Sequence, residues 1–169
     1  MSKGRRYEHD VSNDIYELTD GEVFAWPAGY SGNNAVPSPD VITLAEGRGG
    51  GWELKKTAQE TFGIDESELQ QLLVLQRNYF DVGLVVKFTN REPLVVKPQF
   101  PSLTAFGLDD VDPIENFIKA IPDCFEPRRA EGGKEESLRL SKPSLDNWES
   151  AQCGLSAPEK IANSHGVSV

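Results

Sequence analysis

The sequence predicts one α/β domain in which a β-sheet of mixed strand direction is flanked by helices. Three observations carry that expectation. Two stretches repeat apolar positions at helical spacing, Tyr7, Val11, Ile15 and Leu18 in the first and Leu69, Leu72, Leu73, Gln76 and Tyr79 in the second. Around them lie short apolar or β-branched runs, "VFAW", "DVITL", "WELKK", "VGLVVKF" and "EPLVVKPQF". The order helix, strand, loop, strand, strand, helix, strand, strand then suits a sheet covered by helices.

The first helix spans residues 4–18 and stops at "TDGE". A strand over Val23–Trp26 follows. The loop "PAGYSGNNAVPSP" is polar and rich in glycine and proline, a kind of segment that carries function on a rigid scaffold. "DVITL" and "WELKK" pair across a loose turn built from Gly47, Gly49, Gly50 and Gly51. The second helix covers residues 66–79, and Val82–Phe88 forms a central strand. "EPLVVKPQF" comes next, after a tight Thr-Asn-Arg connection, and residues 113–121 add a short helix. After Pro122 apolar residues thin out and no period is sustained. The folded unit is therefore expected at 1–122, with 123–169 an acidic, polar, disordered tail whose one large anchor is Trp148. The tail reads as a solvated extension or as a tether for a helicase or clamp partner.

A chain of 169 residues is long enough for a real core. No apolar stretch approaches the ~18 residues of a membrane span, and "MSKGRRYEHD" has no apolar leader region, so a cytoplasmic protein is expected. Cys124 and Cys153 form no metal-binding or disulfide spacing. The net charge of −10 argues against nucleic acid binding at ordinary salt. Acids exceed Lys and Arg by 10 to 6 in residues 1–60, 9 to 5 in 61–122 and 8 to 6 in 123–169, so the excess is diffuse and not a tail. A diffuse excess fits a protein from a salt-accumulating halophile, since screening lengths fall to about 3 Å at molar salt and negative charge no longer forbids DNA.

The chemistry concentrates around the central hairpin. In a strand, alternate residues share a side, so Glu53 and Lys55 project together while Trp52 and Leu54 face away. If "DVITL" pairs with "WELKK", Asp40 comes beside Glu53. Two close carboxylates repel unless a cation lies between them, and Mg²⁺ accepts one or two carboxylates with waters and phosphate oxygens. The Leu54 carbonyl could add a ligand. Lys55 would orient water or steady charge on a phosphate, and the ion would supply Lewis-acid stabilisation and a more acidic water. Glu8 shares a helix face with Val11, Ser12 and Ile15, so its carboxylate borders the buried stripe. Arg48 in the glycine turn and Lys56 after Lys55 are cations near the hairpin expected to contact DNA. Arg77, Lys87, Arg91 and Lys97 could form a positive strip, and Gln70, Gln71 and Gln76 could support the site from the second helix. Trp26 and Trp52 are expected in the core.

Taken as a set, "KGRRYE" in the first helix, "GYSG" in the loop, "SPDVI" and "WELKK" resemble the archaeal Holliday-junction resolvases of the PD-(D/E)xK nuclease superfamily. "LQQLLVLQRNYFDVGLVVKF" looks like that family's following helix, turn and strand, and the resemblance spans residues 1–100 and extends toward 122. It implies a restriction-endonuclease-like core and Mg²⁺, with Mn²⁺ able to substitute. It also implies metal-binding acids at Glu8, Asp40 and Glu53, a catalytic lysine at Lys55, and a serine on a mobile loop at Ser31. Lys3, Arg5 and Arg6 stand where the family meets the DNA backbone. Members are homodimers that cut four-way junction DNA by paired nicks. The family's arginine before the loop is absent here, where Phe24, Ala25 and Trp26 precede Pro27. The expected activity is junction resolution in a halophilic archaeon or its virus. The alternatives are a restriction or repair endonuclease with the same core, or a non-enzymatic acidic binding protein such as a DNA mimic.

Overall fold

A computed structural model describes residues 3–28, 38–100 and 110–169, with the backbone alone for residues 3 and 4. Helix α1 (Lys3–Leu18) buries Tyr7, Val11 and Ile15. Leu18, expected on that stripe, is exposed, because the chain turns away at once. The Thr19 hydroxyl donates to the Ile15 carbonyl at 2.9 Å and accepts the Val23 N–H at 3.1 Å, which directs the chain into β1 (Phe24–Pro27). Trp26 lies on the uncovered side of this edge strand and is 41% exposed, a correction to its expected place in the core.

Strands β2 (Val41–Ala45) and β3 (Arg48–Thr57) form an antiparallel hairpin. Its turn is only Glu46 and Gly47, both at positive φ (49° and 79°), the tight two-residue turn that matches strand twist. The glycine-rich turn is thus shorter than expected, and Gly49, Gly50 and Gly51 lie inside β3. Gly50 has a steric reason to be there, since a Cβ would sit 2.3 Å from Thr43 Oγ1. Strand β4 (Thr61–Asp65) and helix α2 (Glu66–Arg77) lead to β5 (Asp81–Phe88), which runs parallel to β3 from Gly50–Asp81 to Thr57–Phe88. Strand β6 (Leu94–Val96) pairs antiparallel with β5. The central sheet has the order β1-β2-β3-β5-β6, so the mixed α/β class is as predicted. Helix α2 ends before Tyr79, which is 91% exposed and does not extend the apolar stripe. Helix α3 (Pro113–Ala120) starts at Asp112, whose carboxylate accepts the Ile114 and Glu115 N–H groups.

The segment expected to be a disordered tail is folded. Strands β7 (Pro127–Ala130) and β8 (Ser137–Ser141) form a second sheet with β4, and helices α4 (Leu145–Gln152) and α5 (Ala157–Ser164) follow. Leu138, Leu140 and Trp148 join Leu69, Leu72, Leu84 and Phe117 in the core on the α2 side. Ile161, Ala162 and Val167 join Trp52 and Val85 on the α1 side. No boundary falls at Pro122. Few apolar residues suffice because the helices are closed by caps: Ser144 accepts the Asn147 N–H, and Ser156 and Glu159 form a reciprocal capping box.

Trp148 is the keystone of this segment. It packs edge-on against Phe88 and Phe125, its indole N–H donates to the Glu92 carbonyl at 2.8 Å, and Arg91 lies over its ring while donating to the Pro143 carbonyl at 2.6 Å. Three members of the expected positive strip are engaged within the chain: Arg91 as above, Lys87 on the Arg91 carbonyl and Lys97 on the Ser164 hydroxyl. Trp148→Ala should lower stability by about 3–5 kcal/mol, read by urea denaturation. A chain ending at Pro122 should show no cooperative transition, and one unfolding at the full-length midpoint would contradict this packing.

Candidate active site

Strand β3 sorts its residues by face. Trp52 is fully buried on the α1 side, where its indole N–H donates to Thr43 Oγ1 at 2.8 Å. The same oxygen lies 2.7 Å from His165 Nε2, so the end of the chain secures β3 from behind. Glu53 and Lys55 project to the opposite side, toward α2.

Asp40 sits just before β2, and its carbonyl accepts the Ala28 N–H at 3.0 Å, which prolongs the β1–β2 ladder by one bond. Its carboxylate reaches across the end of β2 to accept the Leu54 N–H at 2.8 Å. That bond sets Asp40 against Glu53, which is only 6% exposed. Burial, then the Asp40 charge and the hydrogen bond between the two carboxyls, push Glu53 up to about 9. That shift favours the protonated form of Glu53 at neutral pH.

Two further acids face this pair. Glu8 on α1 is raised by burial and by the Asp40 charge, with Arg5 and His9 opposing. Glu68 in the first turn of α2 is raised by burial, while Lys55 opposes; its carboxylate forms an ion pair with Lys55 Nζ at 2.6 Å. Glu8, Asp40, Glu53, Lys55, Glu68 and Gln71 line one cleft of about 490 Å³. Leu54 also borders the cleft, and Lys56 stands there with its ammonium 5.3 Å from the centroid of the Tyr7 ring.

Asp40, Glu53, Leu54, Lys55, Lys56 and Glu8 thus line the same cleft. Arg5 and Arg6 are exposed on α1, with Arg5 close enough to act on Glu8. Arg48 is not at the cleft; it lies at the hairpin end of β3, 3.7 Å from Asp81. Gln71 reaches the cleft, whereas Gln76 donates to the Pro98 carbonyl and accepts the Phe100 N–H. Ser31 and the Lys3 side chain fall outside the described residues. Glu68 was missed; its one sequence signal is its place just before Leu69, at the margin of a buried stripe.

Among the described residues no three acidic, histidine or cysteine side chains stand together as a metal-ligand group, so Glu8 faces the pair without joining it in the expected three-acid cluster. The donors that do converge are the Asp40 and Glu53 carboxylates and the Leu54 carbonyl. A strand residue sends its N–H and C=O to the same edge, so the Leu54 carbonyl opens on the same side as the N–H that Asp40 receives. These are hard oxygen donors, few in number, and suit an ion such as Mg²⁺ that keeps much of its water.

No protein-family model and no curated protein matches the chain. Among solved structures it is similar to Hjc, a Holliday junction resolvase from the archaeal hyperthermophile Archaeoglobus fulgidus, over 99% of each chain, with 15% identity and a TM-score of 0.55. The chain has the Hjc fold. In this chain Asp40, just before β2, and Glu53 on the adjacent β3 open to the cleft between α1 and α2.

The raised Glu53 carboxyl has a consequence for stability. A group at 4.5 when unfolded and about 9 when folded holds its proton longer in the native state. Native stability then falls as pH rises through that window, by about 1.4 kcal/mol per pH unit from this group. Glu53→Gln should remove that slope. In chelator its thermal midpoint should exceed wild type at neutral pH, the gap closing toward pH 4.5; parallel stability curves would contradict a raised Glu53 carboxyl.

Proposed function

We propose that this protein is a Mg²⁺-dependent endodeoxyribonuclease that resolves four-way DNA junctions by paired nicks, acting as a homodimer. The observation that carries this reading is the contact between Asp40 and Glu53, with Lys55 beside it, on the Hjc fold. Asp40, Glu53 and the Leu54 carbonyl would hold the ion, and Mn²⁺ would serve in its place. Bound there, the ion supplies Lewis-acid stabilisation and a more acidic water, which slow phosphodiester hydrolysis requires. Lys55 brings an ammonium to charge developing on the phosphate. Glu8, across the cleft, takes a hydrogen bond from water and helps orient it. Lys56 carries positive charge at the cleft, and Arg5 and Arg6 add exposed charge on α1, where a DNA backbone would approach an otherwise acidic surface.

The dimer reading has its own support. Phe24, Trp26 and Leu44 are 56%, 41% and 41% exposed, and Phe24 on edge strand β1 pairs in register with Leu44 on its neighbour β2. A second copy placed over this apolar strip by a two-fold axis would present two clefts to a substrate of matching symmetry. The diffuse acidity favours a halophilic source and activity at high salt. Among the described residues no helix is long and apolar enough to cross a membrane, and a chromosomal substrate implies a cytoplasmic protein.

The test compares a synthetic four-way junction with flap, mismatched and plain duplex DNA, in Mg²⁺ at molar salt. Paired nicks in the junction are expected. Asp40→Asn, Glu53→Gln and Lys55→Ala should each lower cleavage, for Glu53 by more than ~10³-fold, while junction binding survives. Equal cutting of all substrates would favour a repair or restriction enzyme of the same core, and no Mg²⁺-dependent cleavage by wild type would overturn the nuclease reading.

A further inference from the structure

Lys55 has four rotatable side-chain bonds, and fixing a long cationic side chain costs conformational entropy. In an open cleft some group must hold it. The Asp40 carboxylate is already engaged by the Leu54 N–H and by its hydrogen bond with Glu53. Glu68 takes the lysine instead, at 2.6 Å, with both side chains about three-quarters shielded from solvent (24% and 25% exposed). That shielding separates the pair from freely solvated surface ion pairs, which contribute little.

The carboxylate that does the holding is itself fixed. Glu68 lies in the first turn of α2, the part of a helix most prone to fray. Here that turn is secured by the connection between β7 and β8. The Ser67 N–H and hydroxyl donate to the Glu135 carboxylate at 3.2 and 2.9 Å, and the Glu66 N–H donates to the Glu136 carbonyl at 3.0 Å.

We propose that Glu68 is a positioning residue, which holds the Lys55 ammonium beside Asp40 and Glu53 so that it is in place before substrate arrives. The consequence for rate rests on the nuclease reading; the holding itself does not. A cation fixed in advance needs no reorganisation when charge develops, which is where such groups contribute most.

Two readouts test it. In protein labelled with ¹⁵N at lysine side chains, the Lys55 ammonium of wild type should exchange its protons slowly. In Glu68→Gln, nearly the same size but uncharged, that slow signal should be lost while the other lysines are unchanged. In junction cleavage Glu68→Gln should lower kcat by on the order of 10²-fold, the scale of a small misplacement of a reacting group, with KM little altered. Glu68→Asp, which keeps the charge, should retain more activity than Glu68→Gln. A Lys55 signal identical in wild type and Glu68→Gln overturns the tether, and an unchanged kcat overturns its role in rate. Should wild type not cleave at all, the nuclease reading falls, and the lysine spectra alone decide whether Glu68 holds Lys55.

Discussion

Two carboxyl groups in contact, Asp40 and Glu53, set the terms for the rest of this protein. Burial and the neighbouring Asp40 charge raise the Glu53 carboxyl from 4.5 to about 9, so its charged form is disfavoured at neutral pH. The arrangement lowers the stability of the native state, and the remainder of the chain has to offset it. It does so with two cores, one on each side of the central sheet, to which the last third of the chain contributes Leu138, Leu140, Trp148, Ile161 and Val167. Active sites are commonly places where local preference is overruled in this way.

The contact is enforced from three directions. The Ala28 and Leu54 N–H groups hold Asp40 by its carbonyl and its carboxylate, at the point where β2 ends and β3 continues. Parallel pairing with β5 fixes Glu53 opposite Leu84, deep in the sheet. Behind β3, Trp52, Thr43 and His165 form a buried hydrogen-bonded group that ties the C-terminus to the reverse of the strand carrying Glu53. The cleft is therefore assembled from α1, the central hairpin and α2, with C-terminal elements bracing the hairpin and α2.

The parts legible in the sequence were those governed by local periodicity. Period-two alternation put Glu53 and Lys55 on one face of β3, and helical spacing placed Glu8 at the margin of a buried stripe. Asp40 followed once the hairpin was recognised. The glycines misled in a specific way: Gly49, Gly50 and Gly51 read as a loose turn, whereas Gly50 is small because Thr43 packs against its backbone. The folded C-terminal segment was illegible because its stability comes from partners far away in the chain. Arg91 and Glu92 hold Trp148, and β4 supplies the neighbour for β8. Glu68 escaped for a related reason, since an acid in the first turn of a helix is ordinarily a solvated group, and only the approach of Lys55 gives it a role.

The claim that this carboxyl pair is a cation site can be tested without DNA. Mg²⁺ titrated calorimetrically near neutral pH, in buffers of different ionisation enthalpy, counts the protons displaced on binding. Release of about one proton per ion is expected, because ligands bind metal in their deprotonated form and Glu53 starts protonated. Binding with no proton release, or no binding at millimolar Mg²⁺, would contradict it.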